Sequence, residues 1–353
     1  MKAPAPGPSL RELEAAINLA IGFLCGCQLA WGEFETLASP DEDMASRCTF
    51  QSSPFATAQV LCSLGGLRSP RVQEMLTRGL DFLQSEMDEA GVWRFWSSRN
   101  EWHKLLPADV DDTCCASFVL RMNHRPVPSN RSLILANRDE AGLFFTWLIP
   151  REDPAPSASS APHYVANLEA VLVLSRSGDV DHVDCVVNAN ALLYLGQTED
   201  TRLAVQHLID VVVSGAEGDC SGFYPDPMAF YYAVSRAYRG GVPAFGVLAS
   251  SVTDRVTRRQ RADGSFGSEL STALAICALL SFGSTSDAIH RGARFLLGAQ
   301  ADDGSWPCRS MFLGAGRYYG SKELTTAICV EALAKYRELT SGQEPPLQFV
   351  SEM

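Results

Sequence analysis

Six short turns of the form Gly-x-aromatic recur along the chain, and they limit what it can fold into. Three carry a Gln four residues ahead of the Gly: Gln28 before Gly32 and Phe34, Gln260 before Gly264 and Phe266, and Gln300 before Gly304 and Trp306. A looser copy runs from Gln84 to Gly91 and Trp93, and two degenerate copies are Gly142-Leu-Phe144 and Gly222-Phe-Tyr224. Such self-similarity means one supersecondary unit used repeatedly, each copy burying the face its neighbour leaves open. The flanks of the turns agree. Segments 10–27, 72–84, 201–213, 245–259 and 288–299 precede turns and are amphipathic, whereas 54–64, 112–121, 227–238, 269–282 and 324–336 follow turns and are small and apolar nearly all round. Helices with one polar face belong outside, and helices apolar on every side belong inside. The expected fold is therefore all-α, an (α/α)6 barrel of six outer and inner helix pairs around a central cavity. In each turn Gly gives the backbone freedom, Gln reaches unpaired helix-end groups and the aromatic ring packs over it. Trp93, Phe266 and Trp306 are accordingly read as structural.

Between Gly142 and Gly222 the pattern loosens into a Pro/Ser/Ala-rich stretch, 150–162, and two candidate helices, 164–175 and 183–195. One of these is surplus to a strict count of twelve helices. Residues 1–9 and 341–353 are expected to be loosely ordered tails on a single domain spanning 10–340. With 353 residues the chain is long enough for a large core. A net charge of −12 with no basic stripe argues against nucleic acid as a partner. No secretory pattern and no stretch of membrane-spanning length stand out, so a cytoplasmic location is expected. Of the 11 cysteines, Cys62, Cys114, Cys115, Cys185, Cys277 and Cys329 fall inside apolar helical runs, where Cys acts as a small hydrophobe. No paired Cys-x-x-Cys arrangement suggests a zinc site or a disulfide framework.

The chemistry concentrates at Asp109-Val110-Asp111-Asp112, which heads an inner helix continuing Thr113-Cys114-Cys115-Ala116. For an arbitrary helix, Asp at the start is explained by capping. Here the helix is too apolar for a surface, so the carboxylates go into an apolar interior. A free Asp titrates near 3.9 and would be ionised at neutral pH. Three crowded carboxylates cannot all ionise, so one is held protonated, while the helix N-terminus favours the anion left after the proton departs. That is the equipment needed to protonate a base as weak as an alkene.

Gln-x3-Gly-x-Trp repeats in an all-helical chain, with Asp-x-Asp-Asp-Thr opening an inner helix, resemble class II terpene cyclases, the superfamily of squalene–hopene cyclases and class II diterpene cyclases. The resemblance covers roughly residues 10 to 337. It implies that Asp111 is the proton donor and that Asp109 and Asp112 orient and tune it. The chain departs from the larger relatives in having room for one helical domain rather than two or three. It also lacks an Asp-Asp-x-x-Asp segment that would ionise a diphosphate through magnesium. It is therefore most similar to single-domain bacterial meroterpenoid cyclases, which fold prenylated aromatic acids. What the resemblance implies is an enzyme of the isomerase or lyase type. It would protonate the terminal alkene of a linear, geranylgeranyl-type polyprenyl substrate, drive cationic polycyclisation and end by deprotonation. No cofactor is required for the protonation, and Mg2+ enters only if the head group is anionic. The competing readings are a class II diterpene diphosphate cyclase, a non-catalytic prenyl- or lipid-binding barrel, a prenyltransferase-like subunit and an α/α-barrel glycosidase with paired carboxylates. A glycosidase calls for a polar cleft with separated acids, and a prenyltransferase for zinc ligands that are not arranged here.

Electron-rich rings stabilise a migrating cation without attacking it. Candidates near the inner-helix entrances are Trp96, Trp102, Phe223, Tyr224, Tyr231, Tyr318 and Tyr319, each of which core packing would also explain. Asn188 and Asn190 are unusual inside an apolar helix, and either tune the acid or satisfy a neighbouring helix end. His103, six residues before Asp109, is a candidate for the terminating base, with water an equal one. Asp41, Glu42 and Asp43 either hold a magnesium ion or form a solvated loop. Arg309, Arg317 and Lys322 flank the last turn, where an anionic head group could bind. A lipophilic substrate also makes transient contact with a membrane surface an expected way of collecting it.

Overall fold

The computed structural model describes residues 7–149, 181–314 and 316–341. Within them the chain alternates strictly between outer and inner helices. The outer set is α1 (Leu10–Cys27), α3 (Pro70–Ser85), α5 (Arg131–Ala136), α7 (Arg202–Ser214), α9 (Ala249–Arg258, entered through a 3₁₀ turn at Pro243–Leu248) and α11 (Asp287–Ala299). The inner set is α2 (Pro54–Leu64), α4 (Val110–Met122), α6 (Cys185–Leu195), α8 (Pro227–Arg239), α10 (Glu269–Ser281) and α12 (Lys322–Ser341). Each inner helix packs on the next, α2 on α4, then α6, α8, α10 and α12, and α12 returns to α2, so the ring closes. The candidate helix at 183–195 is the inner α6, whereas 150–162 and 164–175 lie outside the described residues. In chain order the third outer position belongs to α5, a six-residue helix that buries only Ile134.

Composition explains the two layers. In α6 every residue from Cys185 to Leu195 is buried, whereas α11 buries only Ala288, Ile289, Gly292, Ala293 and Leu296, a single stripe. Most starts are fixed locally. Ser9 forms a capping box with Glu12 at the head of α1, and Ser53, Ser69, Asp109, Asp184, Asp226, Ser268 and Ser286 accept backbone N–H bonds at the heads of their helices. Residues 1–6 and 342–353 lie outside the described residues.

The repeat turns act as staples between neighbouring units. Gln28 Nε2 donates to Gly32 O at 2.8 Å within its own turn and to Met75 O of α3 at 3.0 Å. Gln260 does the same to Gly264 O and Ala288 O (2.9 and 2.7 Å), and Gln300 to Gly304 O and Ala16 O (3.0 and 2.9 Å). The last of these joins the end of the ring to its beginning. Gly304 has φ +89°, and a Cβ there would lie 2.6 Å from the backbone of Leu19, so the turn needs both the left-handed backbone and the missing side chain. The aromatic partner is bonded in turn to the following inner helix. The N–H groups of Phe34, Trp93, Phe266 and Trp306 donate to the hydroxyls of Thr57, Thr113, Thr272 and Thr326, and that of Phe144 to Asn188 Oδ1. Trp93 and Trp306 are fully buried, a structural role worth about 1.5–3 kcal/mol for a large apolar side chain.

One non-helical element was not expected. Strands β1 (Leu37–Ser39), β2 (Thr49–Phe50), β3 (Arg309–Gly314) and β4 (Arg317–Ser321) form an antiparallel sheet in the order β2-β1-β4-β3. It pairs Ala38 with Tyr319 and Phe312 with Tyr319, with an irregularity between Ser310 and Phe312. The sheet ties the first repeat to the last and directs aromatic side chains over the open end of the ring.

Candidate active site

Asp109 is extended (φ −130°, ψ 165°), and its Oδ1 accepts the Asp112 N–H at 2.7 Å, so the capping explanation holds for this residue. Capping fixes the first turn of α4 and leaves Asp111 facing inward. Asp111 Oδ2 accepts the Tyr224 hydroxyl at 2.5 Å and Oδ1 accepts Asn190 Nδ2 at 2.8 Å, with the Cys115 thiol 3.9 Å away. All three carboxylates line one cavity of about 520 Å³. The rest of its wall is largely aromatic: Phe55, Phe95, Trp96, Trp147, Phe223, Phe312 and Tyr319. Phe312 and Tyr319 stack at 5.6 Å, and Phe95 meets both edge-on, at 5.7 and 5.1 Å.

Burial dominates the electrostatics. It pushes Asp111 up to about 7; the Tyr224 hydrogen bond opposes that rise, Asp109 adds to it, and the Asn190 bond opposes it again. Burial also raises Asp109, against the bonds it receives from Asp112. Asp112 is raised well above the carboxylate range by burial and by Asp109, and its Oδ1 has no hydrogen-bond partner. The cluster thus retains protons near neutral pH, and the donors that will stabilise the Asp111 carboxylate are already in place. Such a group can deliver a proton to a weak base inside a dry, aromatic enclosure.

Of the aromatic candidates, Trp96, Phe223, Tyr224 and Tyr319 line the cavity. Trp102 does not; it is 46% exposed and lies against the outer side of Trp96 with ring centroids 6.5 Å apart. Tyr231 does not either, since its hydroxyl donates to Glu217 at 2.5 Å within the wall between helices. The two asparagines part company. Asn190 bonds the acid, whereas Asn188 bonds the Phe144 N–H and C=O and the Asp184 carbonyl, taking the place that Thr holds in four of the other repeats. Residues two positions apart on a helix differ by about 200° around its axis, so both cannot face the same space. His103 is not at the cavity; its Nδ1 is 2.8 Å from Trp96 O. Asp41, Glu42 and Asp43 do not assemble a metal site. They occupy a tight turn, Asp43 bonds back to the Ala45 N–H, and no grouping able to hold a metal occurs among the described residues. Arg309 is paired with Glu269 at 2.8 Å, while Arg317 and Lys322 are exposed.

Several wall residues escape a reading of the sequence. Phe55, in the first turn of inner helix α2, meets the same criterion as the other entrance aromatics. Phe95, Trp147, His182 and Phe312 lie in connecting segments without periodicity. The wall beside the acid is a short ladder of such segments: Val110 N donates to Thr146 O (2.8 Å), Leu148 N to Ala108 O (3.0 Å) and Thr146 N to His182 O (2.8 Å).

No family model matches the sequence, and no curated protein matches it. Solved structures do. The type II terpene cyclase MstE from Scytonema superposes with a TM-score of 0.72 at 17% identity, covering 94% of this chain and all of that one (100%). A variant of that protein has been solved with geranylgeranyl dihydroxybenzoate as substrate and superposes at 0.68 with 18% identity, over 94% and 99% of the two chains. The ent-copalyl diphosphate synthase from Streptomyces platensis matches at 0.53 and 17% identity, over 95% of this chain and 69% of that one. A possible member of the GH105 family from Salmonella enterica matches at 0.57 and 11% identity, over 96% and 97%. The chain therefore has the helical-barrel fold that terpene cyclases share with glycoside hydrolases, and its function rests on the site.

Proposed function

We propose that the protein is a class II terpene cyclase of the meroterpenoid type, with Asp111 as the acid. One observation carries the reading: a buried carboxyl group, pushed up to about 7, bonded by Tyr224 and Asn190 in a cavity walled by aromatic rings. Asp111 gives its proton to the terminal alkene of a folded polyprenyl chain. Tyr224 and Asn190 stabilise the carboxylate as it forms, which makes the neutral acid a stronger donor. Phe55, Phe95, Trp96, Phe312 and Tyr319 present ring faces and edges to the positive charge as rings close, each worth about 0.5–2 kcal/mol. The protonation needs no cofactor.

The fit to MstE, a terpene cyclase solved with a prenylated dihydroxybenzoate, supports a prenylated aromatic acid as substrate class. A diphosphate head group, which carries two or more charges against one on a carboxylate, is the less favoured alternative, because no Lys or Arg lines the cavity among the described residues. The glycosidase reading fits less well, since the acids are adjacent in one helix turn and the wall is apolar.

The test is incubation with geranylgeranyl dihydroxybenzoate, geranylgeranyl diphosphate and a head-group-free polyene, with and without magnesium, followed by mass spectrometry. Cyclised product of unchanged mass is expected from the first substrate. Asp111→Asn should reduce turnover by at least about a thousandfold while binding substrate. Normal turnover by that variant would refute the assignment.

A further inference from the structure

Given the cyclase reading, we propose that His182 is the catalytic base that removes the final proton. Six titratable groups line the cavity among the described residues: Asp109, Asp111, Asp112, Tyr224, Tyr319 and His182. The first three and Tyr224 form the acid cluster where the cation begins, and Tyr319 is a phenol stacked on Phe312. His182 is the one basic side chain in the wall among the described residues. Its backbone is tied to the head of α4 through Thr146, whose C=O accepts the Val110 N–H and whose N–H donates to the His182 C=O, yet its side chain makes no bond to the three carboxylates. A charge that starts at Asp111 migrates as rings close, and its last proton is taken by a group other than the carboxyl that supplied the first.

The imidazole is held for that task. Its Nδ1 lies 3.1 Å from the Thr146 hydroxyl, and Thr146 is buried and bonded on both sides through its backbone. In the tautomer that donates Nδ1–H to Thr146, the lone pair is on Nε2. The ring meets Phe223 in an edge-to-face contact, centroids 4.7 Å apart. Gly222 leaves the Nε2 edge its room, since a Cβ there would come within 2.9 Å of that atom. In the step itself, a C–H bond beside the last cationic carbon breaks, its electron pair becomes the new C=C bond, and the proton goes to Nε2. The imidazolium then returns a proton to solvent and Asp111 regains one, so substrate and product remain isomers.

The test compares wild type, His182→Ala, His182→Asn and Gly222→Ala, using geranylgeranyl dihydroxybenzoate as the probe and mass spectrometry of the products. Protonation precedes the base, so folded His182→Ala should still consume substrate, and the readout is the product ratio rather than the rate. The wild-type alkene should give way, by roughly tenfold or more in product ratio, to isomeric alkenes or a water-captured alcohol. Gly222→Ala, which displaces the ring without removing it, should shift products in the same direction and guards against a His182→Ala variant that does not fold. An unchanged product profile in both variants overturns the proposal. So does restoration of the wild-type product by His182→Asn, which keeps a partner for Thr146 but is no base. Folded His182→Ala that no longer consumes substrate also overturns it, because the residue would then act before termination. If the wild type leaves every probe unchanged, the cyclase reading fails first and takes this assignment with it.

Discussion

Asp111 is an acid whose two nearest donors, Tyr224 and Asn190, both favour its ionised form, while burial opposes ionisation. The balance leaves it protonated below about pH 7, so turnover should be present on the acid side and fall as pH rises through that value. Tyr224→Phe tests the balance. Without the hydroxyl the pKa of Asp111 rises, so the alkaline limb of the pH–rate profile should move to higher pH. The same loss makes the neutral acid a weaker donor, and kcat should fall roughly tenfold or more, as expected for a hydrogen bond to a charged group. A limb that stays in place would show that Tyr224 packs against the acid without tuning it. The acid cluster itself was legible as three carboxylates opening an apolar helix. Which of its two neighbouring asparagines touches it was not, because that depends on the rotation of α6 about its axis.

At the scale of elements, the repeat turn is the unit of construction. The turn glutamine joins its own Gly carbonyl to the adjacent outer helix at three of the six turns, and the Gln300 copy closes the ring by bonding Ala16. Gln300→Leu strands the carbonyls of Gly304 and Ala16, and should lower unfolding free energy by about 1–3 kcal/mol, measured by urea denaturation. A loss below about 0.5 kcal/mol would mean that water replaces the amide. The alternation of amphipathic and apolar helices could be read directly, because hydrophobic period is local. The short α5 and the four-stranded sheet could not. α5 buries a single apolar residue and has no periodicity to detect, and the strands are two to six residues long and pair across most of the chain.

For the molecule as a whole, the site carries a pH-dependent cost. Asp111 has a folded pKa of about 7 against an ordinary 3.8, so between those values the folded state binds a proton that the unfolded state has released. Its contribution to stability is complete below the unfolded value and is lost as pH rises through the folded one. Other carboxylates act in the opposite sense, including Glu217 and Glu331, whose pKa values are lowered. The comparison that isolates the acid is therefore with Asp111→Asn, which stays neutral throughout. Its melting temperature relative to wild type should rise between pH 5 and pH 8, and a difference independent of pH would contradict a raised native pKa.

The sequence by itself determined the order of the helices, the outer or inner place of most of them and the position of the acid cluster at the head of an inner helix. Each follows from patterns within about twenty residues. The closed ring decided the rest: that Asn190 and not Asn188 meets Asp111, that Trp102 and Tyr231 stand outside the cavity, and that His182, Phe95 and Phe312 line it. The physical reason is that periodicity specifies that a residue is buried, whereas facing the cavity depends on the rotation of each helix and the path of each connecting segment. Those are set only when six repeats pack against one another around a common axis.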